Sequence, residues 1–477
     1  MTTSVRGAKS REAKNGPRGD PWLSPDERHQ LGRSRRQVLL RSALAEFVRP
    51  ENRPDPVTLL ESQAVSRIPE LVPIRYGRML ASPLAFFRGA ALIMASDLAA
   101  GPRTGLQAQL CGDTHLCNFG LFGTSERNLV FDINDFDETL PGPWEWDVKR
   151  LASSLAVAAR TNGFTPDDRE QVVRSSMKAY RKRMRTLAMM GELDVWYAQA
   201  RVDAALQASV SPKEAKEIQH TADKARSHDS TQALTKLTRV VDGRRQLVSD
   251  PPLQVPVDEY VSEAEARIYE LRTGALIDAY RKSLNVNVQV LAHRFRCAGT
   301  ARKVVGVGSV GLRTWVVLAL GRDDDDPLVM QVKEAQPSVL EPYLGPSAYP
   351  NAAQRVVVGQ REIQASGDIL LGWLRTVGPD GHLGDYYVRQ LRDWKESATV
   401  EAMDSKMLTD YGRACGEVLA GAHARTGDRI AIAGYLGSGD AADTALTRFA
   451  EAYAEQNERD YAALREAVRS GRVAAEQ

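Results

Sequence analysis

The feature that most constrains the fold of this 477-residue chain is an abrupt change of pattern at Ala301. Before that point, most segments have charged faces and apolar residues at helical spacing. From Ala301 to Ala335 the chain is rich in β-branched and aromatic residues, and a glycine-rich bend and an acidic turn divide it into extended runs. Because strands and helices occupy separate parts of the chain, the sequence predicts an α+β fold and excludes a regular βαβ alternation.

The other segments fit the same scheme. We predict a basic arm over residues 1–36, a first helix near Arg36–Phe47, and an almost wholly helical segment over residues 165–290. A non-helical break, Asp250–Val257, divides that segment, because its prolines cannot continue a helix. The remaining predicted helices are Pro56–Ala100, Trp144–Arg160, Asn351–Ser366, Lys406–His423 and Thr444–Ser470, and the remaining predicted strands are Leu106–Leu110, Asn128–Ile133, Ile369–Leu374 and Tyr386–Leu391.

Charge and hydropathy exclude several classes of protein. Lys and Arg number 63 against 61 Asp and Glu, so a dedicated nucleic-acid coat protein is not expected. No apolar run approaches the roughly 18 residues of a membrane span, and the first twenty residues lack the apolar core of a signal peptide. Four irregularly spaced cysteines indicate a reducing compartment rather than a disulfide framework. We therefore expect a cytoplasmic protein.

Two acidic clusters lie close together in Leu110–Glu138. Asp113 follows a glycine in a turn, Asn118 comes five residues later, and a strand-like run then leads to Asp135 and Asp137. In phosphoryl transfer, one carboxylate orients the attacking hydroxyl, while an amide and a further carboxylate hold the metal that neutralises the triphosphate. Either cluster alone is typical of ordinary turns. Together they predict Asp113 as the base, Asn118 and Asp135 as Mg²⁺ ligands, and Asp137 as a second metal or substrate contact.

A glycine-rich loop, Gly306, Gly308 and Gly311, has the spacing G-x-G-x-x-G. A dinucleotide-binding loop would lead into a helix, but a strand-like run follows here, and no Lys-Ser/Thr pair marks a P-loop. Strand, glycine loop and strand is the kinase arrangement, with the loop over the phosphates of ATP. The next predicted strand carries Lys333, at the position of a kinase's phosphate-binding lysine. Glu362 is the available carboxylate partner for that lysine in the following helix, although Gln360 faces a similar direction and Glu334 is adjacent in sequence.

Residues 112–118 and 131–138 resemble the catalytic and metal-binding loops of the aminoglycoside phosphotransferase and choline kinase branch of the protein-kinase-like superfamily. GPWEWDVKRLA is similar to that branch's segment in which an Asp opens a helix beneath the catalytic loop, which implies that Asp147 holds the loop backbone. The histidine that usually precedes Gly-Asp is Cys111 here. More broadly, the chain resembles an uncharacterised bacterial family, domain-of-unknown-function family 2252, in the segments SPLAFFRGAA, CGDTHLCNFG, KVVGVGSVG, QVKEA and YYVRQLRDWK.

The order of these motifs differs from that of ordinary kinases, because Gly306 follows Asp113 by about two hundred residues. Either the glycine loop is unrelated to the acidic site, or the fold is circularly permuted. The helix Lys406–His423 ends in AGAHARTGD and has the texture of the helix that leads into the catalytic loop in phosphotransferases, which favours permutation. We therefore predict a two-lobed, circularly permuted kinase-like fold with a large helical insert. Its predicted parts are the flexible arm 1–36, a helical lobe 37–295 with the catalytic and metal loops, a sheet-rich nucleotide-binding lobe 296–400, and C-terminal helices 401–477.

The functional hypothesis is a phosphotransferase that uses ATP and Mg²⁺ to modify a hydroxyl or amine of a small molecule. Two alternatives stay open: nucleotidyl transfer to a protein on the same fold, and a non-catalytic nucleotide-binding scaffold. The expected partners are a nucleotide and a small-molecule substrate, with no membrane and no nucleic acid. Arg88, Arg389 and Arg392 are candidate contacts for anionic groups. Cys111, His115 and Cys117 lack a second Cys/His pair, so zinc is not favoured.

Overall fold

The computed structural model of this protein describes residues 23–47, 49–204, 212–227, 235, 237–241, 244–259, 261–262, 276–391, 394 and 396–476. It confirms the α+β class, since helices predominate in the chain before and after the strands of a six-stranded antiparallel sheet. Within the described ranges, no helix combines the length and apolarity that crossing a membrane requires. Residues 1–22 of the predicted arm lie outside the described residues, as does Arg392.

The helices of the described residues build most of the molecule. Their bounds are α1 Pro25–Val38, α2 Pro56–Ala64, α3 Val72–Met79, α4 Pro83–Gly89, α5 Ala91–Ala99, α6 Trp144–Thr161, α7 Pro166–Ala188, α8 Glu192–Tyr197, α9 Pro212–Ser227, α10 Val286–Ala292, α11 Glu341–Leu344, α12 Ala352–Ile363, α13 Ser405–Thr426, α14 Arg429–Leu436 and α15 Ala441–Arg469.

The strands form one large sheet and smaller ribbons. Their bounds are β1 Gln107–Leu110, β2 Phe119–Gly123, β3 Leu129–Ile133, β4 Leu140–Pro143, β5 Thr238–Val241, β6 Arg244–Leu247, β7 Gln254–Pro256, β8 Arg296–Lys303, β9 Thr314–Leu320, β10 Pro327–Ala335, β11 Gly372–Val377, β12 Leu383–Gln390 and β13 Glu396–Ser397. The large sheet has the order β11-β12-β10-β9-β8-β7, with every neighbouring pair antiparallel. The ribbons pair β1 with β4, β5 with β6, and β2 with both β3 and β13.

An apolar cluster covers each face of the large sheet. Strand β9 contributes to both clusters, since every residue after its first is apolar. Trp315 and Ala319 pack into one apolar cluster with Met330 of β10. Val316 and Leu318 alternate to the other face and pack into a second cluster. Successive side chains of a strand point to opposite faces, so the continuous run TWVVLAL serves both. This burial fixes the register of β10 and therefore the position of Lys333.

The helical part is built around α6, which is buried along almost its whole length. Helices α7 and α13 pack closely against each other because Gly416 of α13 lies over the backbone of Ser176. A Cβ added at Gly416 would lie 2.4 Å from the Ser176 carbonyl oxygen, so a larger residue would push the two helices apart. The short strands β1–β4 lie on this helical core, and they carry the acidic loops.

Two predictions about secondary structure are wrong. The first helix begins at Pro25 rather than near Arg36, because Ser24 and Glu27 form a reciprocal capping box ahead of it. The segment 165–290 is not almost wholly helical: β5 and β6 interrupt it in the described residues, while β7 lies within the predicted break at Asp250–Val257. Parts of that segment, 205–211, 228–234 and 263–275, lie outside the described residues.

Candidate active site

The loop that carries Asp113 is held by its backbone. Gly112 adopts a φ of +86°, and a Cβ there would lie 2.3 Å from the carbonyl oxygen of Glu138, so only glycine fits. The carboxylate of Asp147, at the start of α6, accepts the backbone N–H groups of Cys111 at 2.7 Å and Gly112 at 3.0 Å. Asp147 is 1% exposed. The implied role of Asp147, to fix the loop backbone, is therefore confirmed.

Asp113 and Asn118 are joined within this loop. The Nδ2 of Asn118 donates to the backbone oxygen of Asp113 at 2.7 Å, so the side-chain oxygen of Asn118 is the atom that can bind a metal. The Asp113 carboxylate forms an ion pair with Arg150 of α6, whose Nη2 lies 2.6 Å from Oδ1. Arg150 is buried and also donates to the Phe87 carbonyl at 2.8 Å. The arginine thus fixes one oxygen of the predicted base.

The second acidic loop begins where β3 ends. The thiol of Cys111 donates to the backbone oxygen of Asp135 at 3.0 Å, which ties the two loops together. Burial raises the pKa of Cys111 well above its ordinary value, so the sulfur keeps the proton that it donates. The Asp135 carboxylate accepts the backbone N–H of Asp137 at 3.3 Å. Cys111 therefore links the loop that carries Asp113 to the second acidic loop.

Lys333 connects the large sheet to the second acidic loop. Its ammonium forms an ion pair with Oδ2 of Asp137, whose Oδ1 accepts a hydrogen bond from the Tyr387 hydroxyl at 2.7 Å. Lys333 and Tyr387 are neighbours across β10 and β12. Burial alone would lower the pKa of Lys333, which is 2% exposed, but the charges of Asp135 and Asp137 raise it above its ordinary value. The lysine is therefore charged, and both oxygens of Asp137 already have partners.

The predicted pairing of Lys333 with Glu362 is wrong. Glu362 of α12 lines a different cavity, beside Tyr349 and Arg425. Helix α12 turns another side chain toward the acidic loop: Arg355 donates at 2.7 Å to the carbonyl oxygens of Thr139 and Asp137. The helix buries Val356, Gly359, Gln360 and Ile363, a spacing that leaves Glu362 off the inward face.

The glycine loop lies between β8 and β9 and is fastened to the segment 67–88. Arg78 donates to the Gly306 carbonyl at 2.6 Å, and the Ile68 N–H donates to the Gly311 carbonyl at 2.9 Å. Gly306 and Gly311 have φ values of +67° and +88°. A Cβ at Gly308 would lie 3.3 Å from the Arg88 carbonyl oxygen. The glycine loop is therefore in close contact with the segment 67–88, which precedes the loop that carries Asp113.

The acidic loops form one half of the predicted site and the glycine loop forms the other, and residues of both line one cavity of about 390 Å³. This volume is within the range of small-molecule sites. Its lining includes predicted residues from both halves: Asp113, Asn118, Asp135, Asp137, Gly306 and Gly308. Gly311 and Lys333 stand behind this lining, and Lys333 reaches it through Asp137. The structure thus places all the predicted site residues except Glu362 in or directly behind one cavity.

The donor atoms of this cavity suit Mg²⁺ better than zinc. Mg²⁺ is commonly bound by one or two carboxylates together with phosphates and water, and Asn118 and Asp135 supply oxygen atoms. Among the described residues, no group of three or more His, Cys, Asp or Glu side chains is arranged to hold a metal ion. Because the Cys111 thiol is committed to the Asp135 backbone, the Cys-His-Cys run does not form a zinc site.

Several residues of the site are not among those that the sequence predicts. Tyr387 and Arg150 hold predicted carboxylates, and Arg67 and Arg75 line the cavity without having been singled out. A signal existed for Arg75 and Arg150, since each is charged at a position that the apolar pattern of its helix turns inward. Arg88 was singled out and lines the cavity. Arg389 instead donates to Gln331 and to the Asn134 carbonyl.

Comparison with known proteins gives a family and no characterised relative. A family model matches residues 67–467: DUF2252, described as uncharacterized protein conserved in bacteria. That range includes every residue that lines the cavity except Gln63. No curated protein and no solved structure matches the chain.

Proposed function

We propose that this chain, which belongs to the bacterial family DUF2252, is an ATP- and Mg²⁺-dependent phosphotransferase that acts on a hydroxyl or amine of a small molecule. One observation carries the proposal: Asp113, Asn118 and Asp135 line the same cavity as Gly306 and Gly308, which lie about two hundred residues away in sequence. If the glycine loop were unrelated to the acidic site, no shared function would require the two to line the same cavity. Phosphoryl transfer needs both halves within reach of one triphosphate.

We infer a kinase-like fold for the sheet-rich lobe. Strand β8, the glycine loop, strand β9, the lysine strand β10 and then helix α12 follow one another in the order of a kinase nucleotide lobe. The departure is the carboxylate partner of Lys333, which comes from the metal loop rather than from α12.

Contacts between α13 and β1 support circular permutation. Thr426, at the end of α13, accepts a hydrogen bond through its hydroxyl from the Gln109 backbone N–H at 3.2 Å. A Cβ at the next residue, Gly427, would lie 2.7 Å from the Gln107 carbonyl oxygen. The end of the helix that would lead into the catalytic loop in an unpermuted chain therefore touches the strand that does lead into it. A cut between these two points and a new connection elsewhere would give the observed order.

In this proposal the residues have separate roles. Asn118 and Asp135 would hold Mg²⁺, and ATP bound with it supplies the phosphoryl group. Asp113, oriented by Arg150, accepts the proton of the acceptor while the acceptor oxygen or nitrogen bonds to phosphorus and the bond to ADP breaks. The glycine loop lies over the phosphates of the nucleotide, Lys333 stabilises them by its charge from behind the lining, and Asp137 keeps Lys333 charged and in place.

The scaffold alternative has a specific observation in its favour. Buried Arg150 directs both its Nη2 and its Nε at Oδ1 of Asp113, so that oxygen is already occupied and only Oδ2 is left to accept a proton from an acceptor. Nucleotidyl transfer stays a second alternative, because the same cavity would serve a nucleotide bound in the reverse direction.

The first test is thermal unfolding with and without ATP and Mg²⁺. A ligand at a hundredfold its Kd adds about 2.7 kcal/mol to stability, which moves the midpoint by a few degrees. We expect a metal-dependent rise in the wild type that Lys333→Ala and Asp135→Ala both lose. Asp325→Ala, whose side chain is 87% exposed on the acidic turn, is the matched control and should keep the rise. No rise with any nucleotide in a folded protein would reject the nucleotide site.

The second test separates the three functions. After incubation with ATP and candidate acceptors, a product heavier by a phosphate supports phosphotransfer, while a nucleotidyl adduct on protein supports the alternative. Asp113→Asn should abolish transfer and keep the ATP-dependent rise in midpoint. If the wild type binds ATP and modifies no acceptor in a broad screen, the scaffold alternative stands.

A further inference from the structure

Three arginines line the cavity beside the acidic loops. Arg67 follows α2, Arg75 lies in α3 and Arg88 lies in α4. Arg67 is 8% and Arg75 1% exposed, so two guanidinium groups are almost fully removed from bulk water. None of the three serves the nucleotide or the metal in the function proposed above.

These arginines lack the partners that buried charges normally have. The Nε atoms of all three, and Nη1 of Arg75, are buried without a hydrogen-bond partner. The bonds that Arg67 and Arg75 do make go to neutral oxygen atoms: Arg67 donates to the Val310 carbonyl, and Arg75 donates to Oε1 of Gln63 at 3.0 Å and to the Gly89 carbonyl at 3.1 Å. Within the described part of the chain, no carboxylate lies within ion-pair distance of any of the three. The cavity is therefore lined by three arginines that have no carboxylate partner among the described residues.

The positive charges of Arg67 and Arg75 lie close enough to repel each other. Burial lowers the pKa of Arg75 well below its ordinary value, and the charge of Arg67 lowers it further. Burial also lowers the pKa of Arg67 to about 10, although nearby Glu138 opposes the change. Buried cations are normally paired, because the loss of hydration is otherwise not offset. Guanidinium groups bind phosphate and carboxylate groups with two parallel hydrogen bonds, so an oxyanion in the cavity would supply the missing counter-charge.

We propose that Arg67, Arg75 and Arg88 bind a phosphate or carboxylate group of the acceptor, so that the substrate is an anionic small molecule with a hydroxyl or amine. The inference rests on the phosphotransferase function proposed above. In that function Lys333, the glycine loop and the Mg²⁺ bound by Asn118 and Asp135 already neutralise the nucleotide. Arg75 and Arg88 lie in helices and Arg67 follows one, all outside the sheet-rich lobe, and they meet Asp113 in the same cavity. They are therefore available to a second anion beside the predicted base.

The test measures binding of inorganic phosphate to the full-length protein without nucleotide or Mg²⁺. Thermal midpoints are recorded against phosphate concentration at constant ionic strength, with chloride as the balancing ion. We expect a saturable rise in the wild type and at least tenfold weaker phosphate binding in Arg88→Gln and Arg67→Gln. Arg185→Gln, an exposed arginine of α7, is the control and should match the wild type. Non-specific stabilisation by salt would be equal in all four proteins, and that result would overturn the proposal.

A second arm identifies the source of the anion. If Arg88→Gln loses the response to phosphate but keeps the response to ATP and Mg²⁺, the arginines bind a group other than the nucleotide, as proposed. If both responses weaken equally, the arginines bind the phosphates of the nucleotide and the assignment to the acceptor is wrong. A wild-type response to phosphate without any response to ATP and Mg²⁺ would reject the phosphotransferase function and leave the anion site standing. Arg67→Gln gives an independent result if Arg88→Gln does not fold.

Discussion

The substitution Asp147→Asn should destabilise the protein more than any other single exchange of a carboxylate for an amide on α6. Both oxygens of Asp147 accept backbone N–H groups, from Cys111 at 2.7 Å and from Gly112 at 3.0 Å. An asparagine keeps one acceptor oxygen and turns an NH₂ group toward the other N–H. A buried donor then faces a donor, and it can move away only by distorting the loop that carries Asp113.

The magnitude follows from these two contacts. An orphaned buried N–H costs about 1–3 kcal/mol, and the remaining hydrogen bond loses the charge assistance that adds about 1 kcal/mol. We therefore expect a loss of about 2–4 kcal/mol in the free energy of unfolding. Urea denaturation followed by tryptophan fluorescence measures it directly, because buried Trp144 and Trp146 flank the site on the same helix.

Glu145→Gln is the matched control. Glu145 is as deeply buried, and it accepts the Thr104 backbone N–H at 2.7 Å and the Thr104 hydroxyl at 3.0 Å. The Thr104 hydroxyl already accepts the Leu106 N–H and the Trp144 Nε1–H, both at 3.2 Å, so it cannot also accept from the new amide. Glu145→Gln therefore loses this hydroxyl contact but can keep its only backbone N–H contact, and the loss should be about 1–2 kcal/mol. If Asp147→Asn costs no more than Glu145→Gln, the two backbone contacts do not hold the loop as described.

Three further predictions concern the second acidic loop. Lys333→Met leaves Asp137 without its buried counter-ion and should lower the free energy of unfolding by about 3–5 kcal/mol in urea, whereas an unchanged value would mean that the pair contributes nothing. Burial raises the pKa of Glu138 to about 7, so between about pH 4.5 and 7 the folded protein keeps a proton that the unfolded chain releases. Stability should therefore fall as pH rises through this interval, by at most about 3 kcal/mol, and Glu138→Gln should flatten the measured pH profile. Cys111→Ala removes the donor to the Asp135 backbone and should raise the Mg²⁺ concentration needed for the ATP-dependent rise in midpoint roughly tenfold, while Cys111→Ser should not.

The acidic loops could be predicted because their chemistry is local in sequence. Asp113 and Asn118 are five residues apart, and their loop must close on itself, so the spacing alone places them together. The α+β class followed from the apolar run of β9, which neither a helix period nor a solvent-facing strand explains. The role of Asp147 required a resemblance, since a buried carboxylate at a helix start has no local sequence signal that distinguishes it from an ordinary cap.

The partner of Lys333 could not be predicted because it depends on how two distant segments meet. Asp137 and Lys333 are joined by the packing of the large sheet on the helical core, and no periodicity within α12 reports that contact. Glu362 was chosen as the acid in the expected helix, but the inward face of α12 is set by Val356, Gly359 and Gln360. Arg67 and Arg75 are absent from the prediction for a related reason: a basic residue is usually solvated, and the inward spacing of Arg75 in α3 indicates burial without showing what its side chain meets.

The order of the acidic loops and the lysine strand along the chain also has a consequence for synthesis. Lys333 leaves the ribosome 220 residues after Asp113, an interval of roughly 10–45 s at ordinary rates of translation. During that time helix α6 is complete, but α13 and α15, which cover it, have not yet been made. The faces of α6 that α13 and α15 cover therefore stay exposed in the nascent polypeptide until translation is nearly finished, although α7 is already present to pack on α6. A ribosome that stalls before β10 releases a fragment without the lysine that pairs with Asp137.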